Sequence, residues 1–204
     1  MPFNINTFIQ QGLVYGGARP SLFTITAAVP TGIGIDTTTI SKFRMVCRAS
    51  EIPPSQMASI EVPYMGRKIK VIGNRVFPDW TVTVMNDEDF SVRAMLETWS
   101  NAMNRLESNV ADPAVGSGAY KTDFSIDHYA KDGSLIREYT LYGAFPTVIG
   151  PITLDWDQTN TIETFTVQFS YDYWKPSIEQ SSYNAGGINT YNTQADTDGP
   201  LGPN

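Results

Sequence analysis

The sequence predicts a mainly β fold: a small antiparallel β-barrel or sandwich with one flanking α-helix and extended arms at both ends. Three observations predict it. Short runs alternate apolar and polar residues at a period of two, as a half-buried strand requires. One segment, near 87–108, switches to a helical period. The first twenty residues are mixed and Gly-containing, and the stretch beyond Trp174 is rich in Ser, Asn, Thr, Gly and Pro with few large apolar groups. The expected organisation is an N-terminal arm over 1–20, a β-barrel domain over 21–174, and a flexible C-terminal tail over 175–204.

The elements follow in order. The segment from Thr24 to Ile40 is rich in Thr, Gly and Ile and is broken by Pro30 and Gly32, so it reads as a strand start and then a loop. From Ile40 to Ala49 the chain reads as a strand, with Phe43, Met45 and Cys47 on one face. Pro53-Pro54 forces an extended break, because proline lacks a donor and restricts its neighbour. Ile60 with Val62, Ile69 with Val71, and Trp80, Val82 and Val84 then mark three strands. In the helical segment Val92, Met95, Leu96, Trp99, Ala102, Met103 and Leu106 make one apolar stripe that packs against a sheet. Asn86 is the expected N-cap, with Asp89 in the capping-box position. Phe124 and Ile126 define a further strand, Lys131-Asp132-Gly133 a hairpin turn, and Leu135 to Tyr142 the return strand. Strands are expected again at Phe145 to Gly150, Ile152 to Trp156 and Ile162 to Trp174.

Composition excludes several functions. The 204-residue chain carries a net charge of −7, the wrong sign for tight binding to phosphate backbones. Its single cysteine, Cys47, permits no internal disulfide and reads as a small core residue. A lone histidine, His128, sits on a strand without a Gly-x-Ser-x-Gly elbow, phosphate loop or dinucleotide fingerprint elsewhere. The Asn86 to Asp89 run lacks the spacing of a calcium loop. The expectation is therefore no enzyme, no cofactor and no metal. The N-terminus shows no signal peptide and no stretch has the length of a membrane span, so assembly in the cytoplasm without stable membrane association is expected.

Two long runs carry a resemblance. Gly66-Arg-Lys-Ile-Lys-Val-Ile-Gly-Asn-Arg-Val-Phe77, followed by Asp79-Trp-Thr-Val-Thr-Val-Met-Asn-Asp-Glu88, resembles the tail tube protein of large contractile-tailed (myovirus-type) bacteriophages. Ala18-Arg-Pro-Ser-Leu-Phe23 is similar to that family's N-terminal lead-in strand. Leu154-Asp-Trp-Asp157, Ile162-Glu-Thr-Phe165 and Asp172-Tyr-Trp174 are similar to its last strands. The chain departs from the pattern in a longer stretch near 26–41 and in the tail beyond Trp174. Both are candidates for contacts with the sheath or between rings.

The resemblance implies the tail tube fold and a structural role. Six copies would form a ring, and rings would stack into a hollow conduit inside a contractile sheath. Sheath contraction would drive that tube through the host envelope, and phage DNA would pass down the bore without tight binding. The implied partners are further copies of the chain, the tail sheath protein, baseplate tube-initiator proteins, the tape measure protein and the tail terminator; the implied location is the virion tail. On that plan the loop Ser50, Glu51, Ile52, Pro53, Pro54, Ser55, Gln56, Met57 and Ala58 reaches an adjacent subunit. Arg67, Lys68, Lys70 and Arg75 form a basic stretch with two readings, contact with phosphate or pairing with acidic groups of a neighbouring copy, and the chain's negative total favours the second. Asp123 and Asp127 face the lumen, and Met95, Trp99, Met103 and Leu106 join the helix to the core. Two other readings stand beside it: a baseplate ring of the same fold that primes the tube, and a monomeric β-sandwich binding module.

Overall fold

The computed structural model describes residues 4–13, 16–30, 32–113, 116 and 118–177. These belong to two units. In the N-terminal unit, helix α1 (Ile5–Gly12) is capped by Asn4, whose side chain accepts from the Asn6 N–H at 3.0 Å. The tail expected over 175–204 lies mostly outside the described residues, which end within a strand at 177.

The larger unit begins at Ala18 and holds every strand among the described residues. They are β1 (Phe23–Ala27), β2 (Cys47–Ser50), β3 (Gln56–Tyr64), β4 (Arg67–Val76), β5 (Trp80–Met85), β6 (Thr122–Tyr129), β7 (Leu135–Ile149), β8 (Thr164–Ser170) and β9 (Tyr173–Ser177). Helix α2 (Thr37–Val46) precedes β2, and helix α3 (Ser91–Met103) follows β5. Seven strands form one antiparallel sheet in the order β1-β6-β7-β8-β5-β2, with β9 on β7; β3 and β4 form a separate pair.

Strand β7 organises the sheet. Its first part pairs with β6 and β9, and its last residues, from Phe145, pair with β8. The strands expected at Leu135 to Tyr142 and Phe145 to Gly150 are thus one continuous element. The change of partner falls at Gly143, which has φ +66. Its N–H donates to Asp123 at 2.9 Å, and a Cβ there would collide with the Asp172 carboxylate. Only glycine fits both the conformation and the space.

The alternation read in β5, β6 and β8 translates into burial. Trp80, Val82, Val84, Phe124, Ile126, Phe165, Val167 and Phe169 all point inward. Their rings interlock: Phe124 and Phe169 have centroids 4.8 Å apart, and Trp80 meets Phe124 at 5.5 Å. Cys47 packs partly buried against this core, and burial pushes its thiol up to about 12.

Three expectations are corrected. The strand expected from Ile40 to Ala49 is mostly α2, which buries Ile40 and Phe43 while Met45 faces solvent. The spacing of Ile40, Phe43, Val46 and Cys47 is helical, and it coincides over five residues with an alternating pattern. A second helix therefore flanks the barrel, and the loop reading of the residues before Ile40 ends at Asp36. The strand expected at Ile152 to Trp156 is an irregular loop, with Trp156 fully exposed. The strand expected from Ile162 to Trp174 is broken after Ser170 into β8 and β9, where the Asp172 N–H donates to Tyr142.

Helix α3 starts later than its charges suggest. Asn86 does not cap it; its backbone and side chain both bond Glu163, so it extends the β5–β8 pairing. Phe90 sits in the left-handed region (φ +51), and the Asp89 carboxylate accepts from the Ser91 N–H at 3.1 Å and its hydroxyl at 2.9 Å. Lys42 of α2 reaches both Asp87 and Asp89 at 2.5 Å, tying the two helices together.

Candidate assembly surfaces

The β3–β4 pair forms an arm that projects from the barrel. Its turn is Met65-Gly66, both at positive φ (+43 and +82), which suits the twist of a two-residue hairpin. Among the described residues neither strand pairs with any strand but the other. Cross-strand partners Ile60 with Val71 and Val62 with Ile69 share one face with Tyr64 and Arg67. Glu61, Lys68 and Lys70 lie on the other. The arm is therefore amphipathic, yet both strands are exposed along their lengths. Met65 at the tip is 89% exposed. An apolar sheet face left to water marks a surface built to be covered.

The segment Ser50 to Ala58 is the root of this arm. Ser50 closes β2, residues 51–55 cross from barrel to arm, and Gln56, Met57 and Ala58 begin β3. Two indoles hold the crossing. Trp80 Nε1 donates to the Glu51 carbonyl at 2.8 Å, and Trp174 Nε1 donates to the Pro54 carbonyl at 3.3 Å. Pro53 is buried between them in sequence, while Ile52 stays exposed. Arg75 donates to Ser55 Oγ at 2.7 Å. The arm thus leaves the barrel from a braced base and not from a slack loop.

Of the four cations expected to pair between copies, Lys68 is already paired within the arm, to Glu61 at 2.7 Å. Arg67 and Lys70 are exposed and form no ion pair among the described residues. Arg75 is committed to the root.

Asp123 and Asp127 lie on the outward face of β6, opposite the buried Phe124 and Ile126. Asp127 stands in register with Thr24 of β1 and Glu138 of β7. The Ser125 hydroxyl lies 2.7 Å from Asp127 Oδ1 and 2.9 Å from Glu138 Oε1. The half-sheet β1-β6-β7-β9 therefore presents a polar face with three carboxylates, to which Glu138 was not assigned from sequence. Its alternation with Tyr139 and Leu141 carried the signal.

Met95 and Trp99 are buried, and Met103 packs against the core from the end of α3. Trp99 Nε1 donates to the Tyr120 carbonyl at 2.9 Å. Leu106 is not a core contact: α3 ends at Met103, and Leu106 is 88% exposed. Among the described residues no group of three or more His, Cys, Asp or Glu is placed to hold a metal ion, and no helix is long and apolar enough to cross a membrane.

Comparison with known proteins places this geometry. The family model described as phage tail tube protein matches residues 18–177. The tail tube protein gp19 of Enterobacteria phage T4 is 36% identical over 161 residues, covering 78% of this chain and 91% of that protein. The tail tube protein of Serratia phage KSP90 is 27% identical over 119 residues, covering 58% of this chain and 66% of its own length. Among solved structures, the sheath/tube terminator of an extracellular contractile injection system matches with a TM-score of 0.57 at 15% identity, covering 80% of this chain and 99% of that one. That likeness is one of fold. The matched segment contains the braced root, the arm and the whole seven-stranded sheet of the barrel, and this chain belongs to the phage tail tube protein family.

Proposed function

We propose that six copies of this chain close into a ring, and that rings stack into the hollow inner tube of a contractile phage tail. The observation that carries this reading is the arm: an amphipathic hairpin whose apolar face is exposed and whose root is pinned to the core. Burying that face against another copy would return roughly 25 cal/mol for each Å² removed from water. The half-sheet β1-β6-β7-β9 also offers two open borders, since among the described residues β1 pairs only with β6 and β9 only with β7. Joining β9 of one copy to β1 of the next continues the antiparallel order and removes both exposed edges.

On this arrangement the face bearing Asp123, Asp127 and Glu138 lines the bore. An acidic lining lets a polyanion pass without adhering. The sheath would surround the tube and drive it by contraction; the baseplate initiator, tape measure protein and terminator would set its start, length and end. The Ser50 to Ala58 root and the arm it carries would make the contact with an adjacent subunit.

Negative-stain microscopy of the purified chain tests the reading. Six-fold rings or stacked tubes with an open channel are expected. Dispersed single molecules at high protein concentration would overturn it.

A further inference from the structure

The exposed loop between β7 and β8 has no role in the arrangement above. It runs over 151–163 and carries three large apolar side chains outside the core: Leu154, Trp156 and Ile162, exposed to 79%, 100% and 69%. Its shape comes from its own hydrogen bonds. The Asp157 N–H donates to Asp155 Oδ1 at 3.1 Å, and the Thr161 hydroxyl donates to Gln158 at 3.1 Å. A shallow cleft lies among Leu154, Trp156, Ile162 and Thr164. The loop holds three carboxylates, Asp155, Asp157 and Glu163, and no cation. Glu163 is taken by Asn86 at 3.0 Å; Asp155 and Asp157 are in no ion pair among the described residues.

The arm is its chemical complement. Residues 56–76 hold four cations and one carboxylate, a net +3 against the loop's −3, within a chain of net −7. The arm also offers an apolar row, Ile60, Val62, Tyr64, Ile69 and Val71, to match the loop's Leu154, Trp156 and Ile162.

Position separates the two within one copy. The arm returns to the barrel just before Trp80, which pairs with Phe169 at one end of the β5–β8 ladder. The loop enters β8 at Thr164, which pairs with Met85 at the other end. Five residue steps of strand put these ends about 17 Å apart. Complementary surfaces at opposite ends of one sheet pair between copies head to tail, and such an interface repeats without using itself up.

We propose that the Leu154–Ile162 loop of one copy receives the basic, apolar-faced arm of a second copy, with Trp156 seated on the apolar face, one of Asp155 and Asp157 meeting Arg67 on that face and the other reaching past the strand edge to Lys70 on the opposite face. This rests on the tube reading and names the acidic counterpart that the arm's free cations meet. The steering comes from opposite charge and the hold from the buried indole.

Charge reversal in the full chain tests it. Asp155→Lys with Asp157→Lys, and separately Arg67→Glu with Lys70→Glu, are each expected to raise the protein concentration needed for assembly by roughly tenfold or more. Circular dichroism and melting should stay as in the wild type, because all four side chains are exposed. Combining all four reversals in one chain should restore assembly. In a second arm, a chain carrying Met65→Cys, Thr159→Cys and Cys47→Ser, oxidised with copper phenanthroline, should give a covalent ladder on a non-reducing gel, which chains with only one of the two new cysteines should not. If the wild type forms rings or tubes while the loop reversals assemble equally well and no ladder appears, this inference fails alone, and the loop serves a partner other than this chain. If the wild type forms no assembly at all, the tube reading fails and takes this inference with it.

Discussion

Trp80 and Glu51 join the barrel core to the arm: the indole of Trp80 is 2% exposed among the core rings, and its N–H donates to the Glu51 carbonyl at 2.8 Å. One side chain thus serves as a core residue and as the peg on which the arm's root is hung. A buried donor that keeps its partner costs little; the same root without it is free to pivot.

Replacing Trp80 with Phe keeps most of the ring and removes the donor. A loss of about 1–3 kcal/mol is expected, from the missing hydrogen bond and a small void. Amide exchange at Gln56 to Ala58 should accelerate more than exchange in β8. Equal acceleration throughout would show that the indole acts only as core packing.

Trp99→Ala should cost about 3–5 kcal/mol in chemical denaturation, since the residue is 2% exposed and fills the space between α3 and Phe169. Leu106→Ala should fall within about 0.5 kcal/mol, as an exposed residue beyond the helix end. A large loss at Leu106 in dispersed protein would contradict the observed end of α3.

The Lys42 bridge gives a pH dependence. The Lys42 ammonium, followed by the Ser91 N–H, holds the Asp89 carboxyl down at about 2, and Lys42 likewise lowers Asp87. A carboxylate lowered on folding contributes above its unfolded value and loses that contribution as pH falls through its folded one. Denaturation midpoints of the wild type should therefore drop between about pH 4 and about pH 2 more steeply than those of Lys42→Met. Both carboxylates are more than half exposed, so added salt should shrink the difference. Lys42 itself is raised by the same pairing, so its contribution is complete below its ordinary range and fades only as pH rises beyond it. Parallel acid curves for the two chains would exclude the bridge as a source of stability.

Much of the barrel was legible because burial and sequence period agree there. In β5, β6 and β8 every second residue meets the core, so alternation suffices. Helix α2 was hidden because Phe43, Met45 and Cys47 alternate by coincidence, and the threonines at 37–39 favour strands locally; tertiary packing of Ile40 and Phe43 overrode both. The arm was legible as two strands but not as an arm. Alternation announces an apolar face without saying whether the chain's own core covers it, and here the core does not. The Leu154 to Trp156 run misled because exposed apolar residues read in sequence like core ones. The polar face of β6 was read correctly as a face, but its destination came from family resemblance and not from spacing.

The unbroken path of β7 has a mechanical corollary. It belongs to both halves of the sheet, bonding β6 and β9 along one stretch and β8 along the next. Loss of either half frees one end of a strand that the other half still uses, so heat should take the barrel apart in one calorimetric step. An axial thrust on one half must likewise be borne by the other, through covalent backbone and not through a sliding contact.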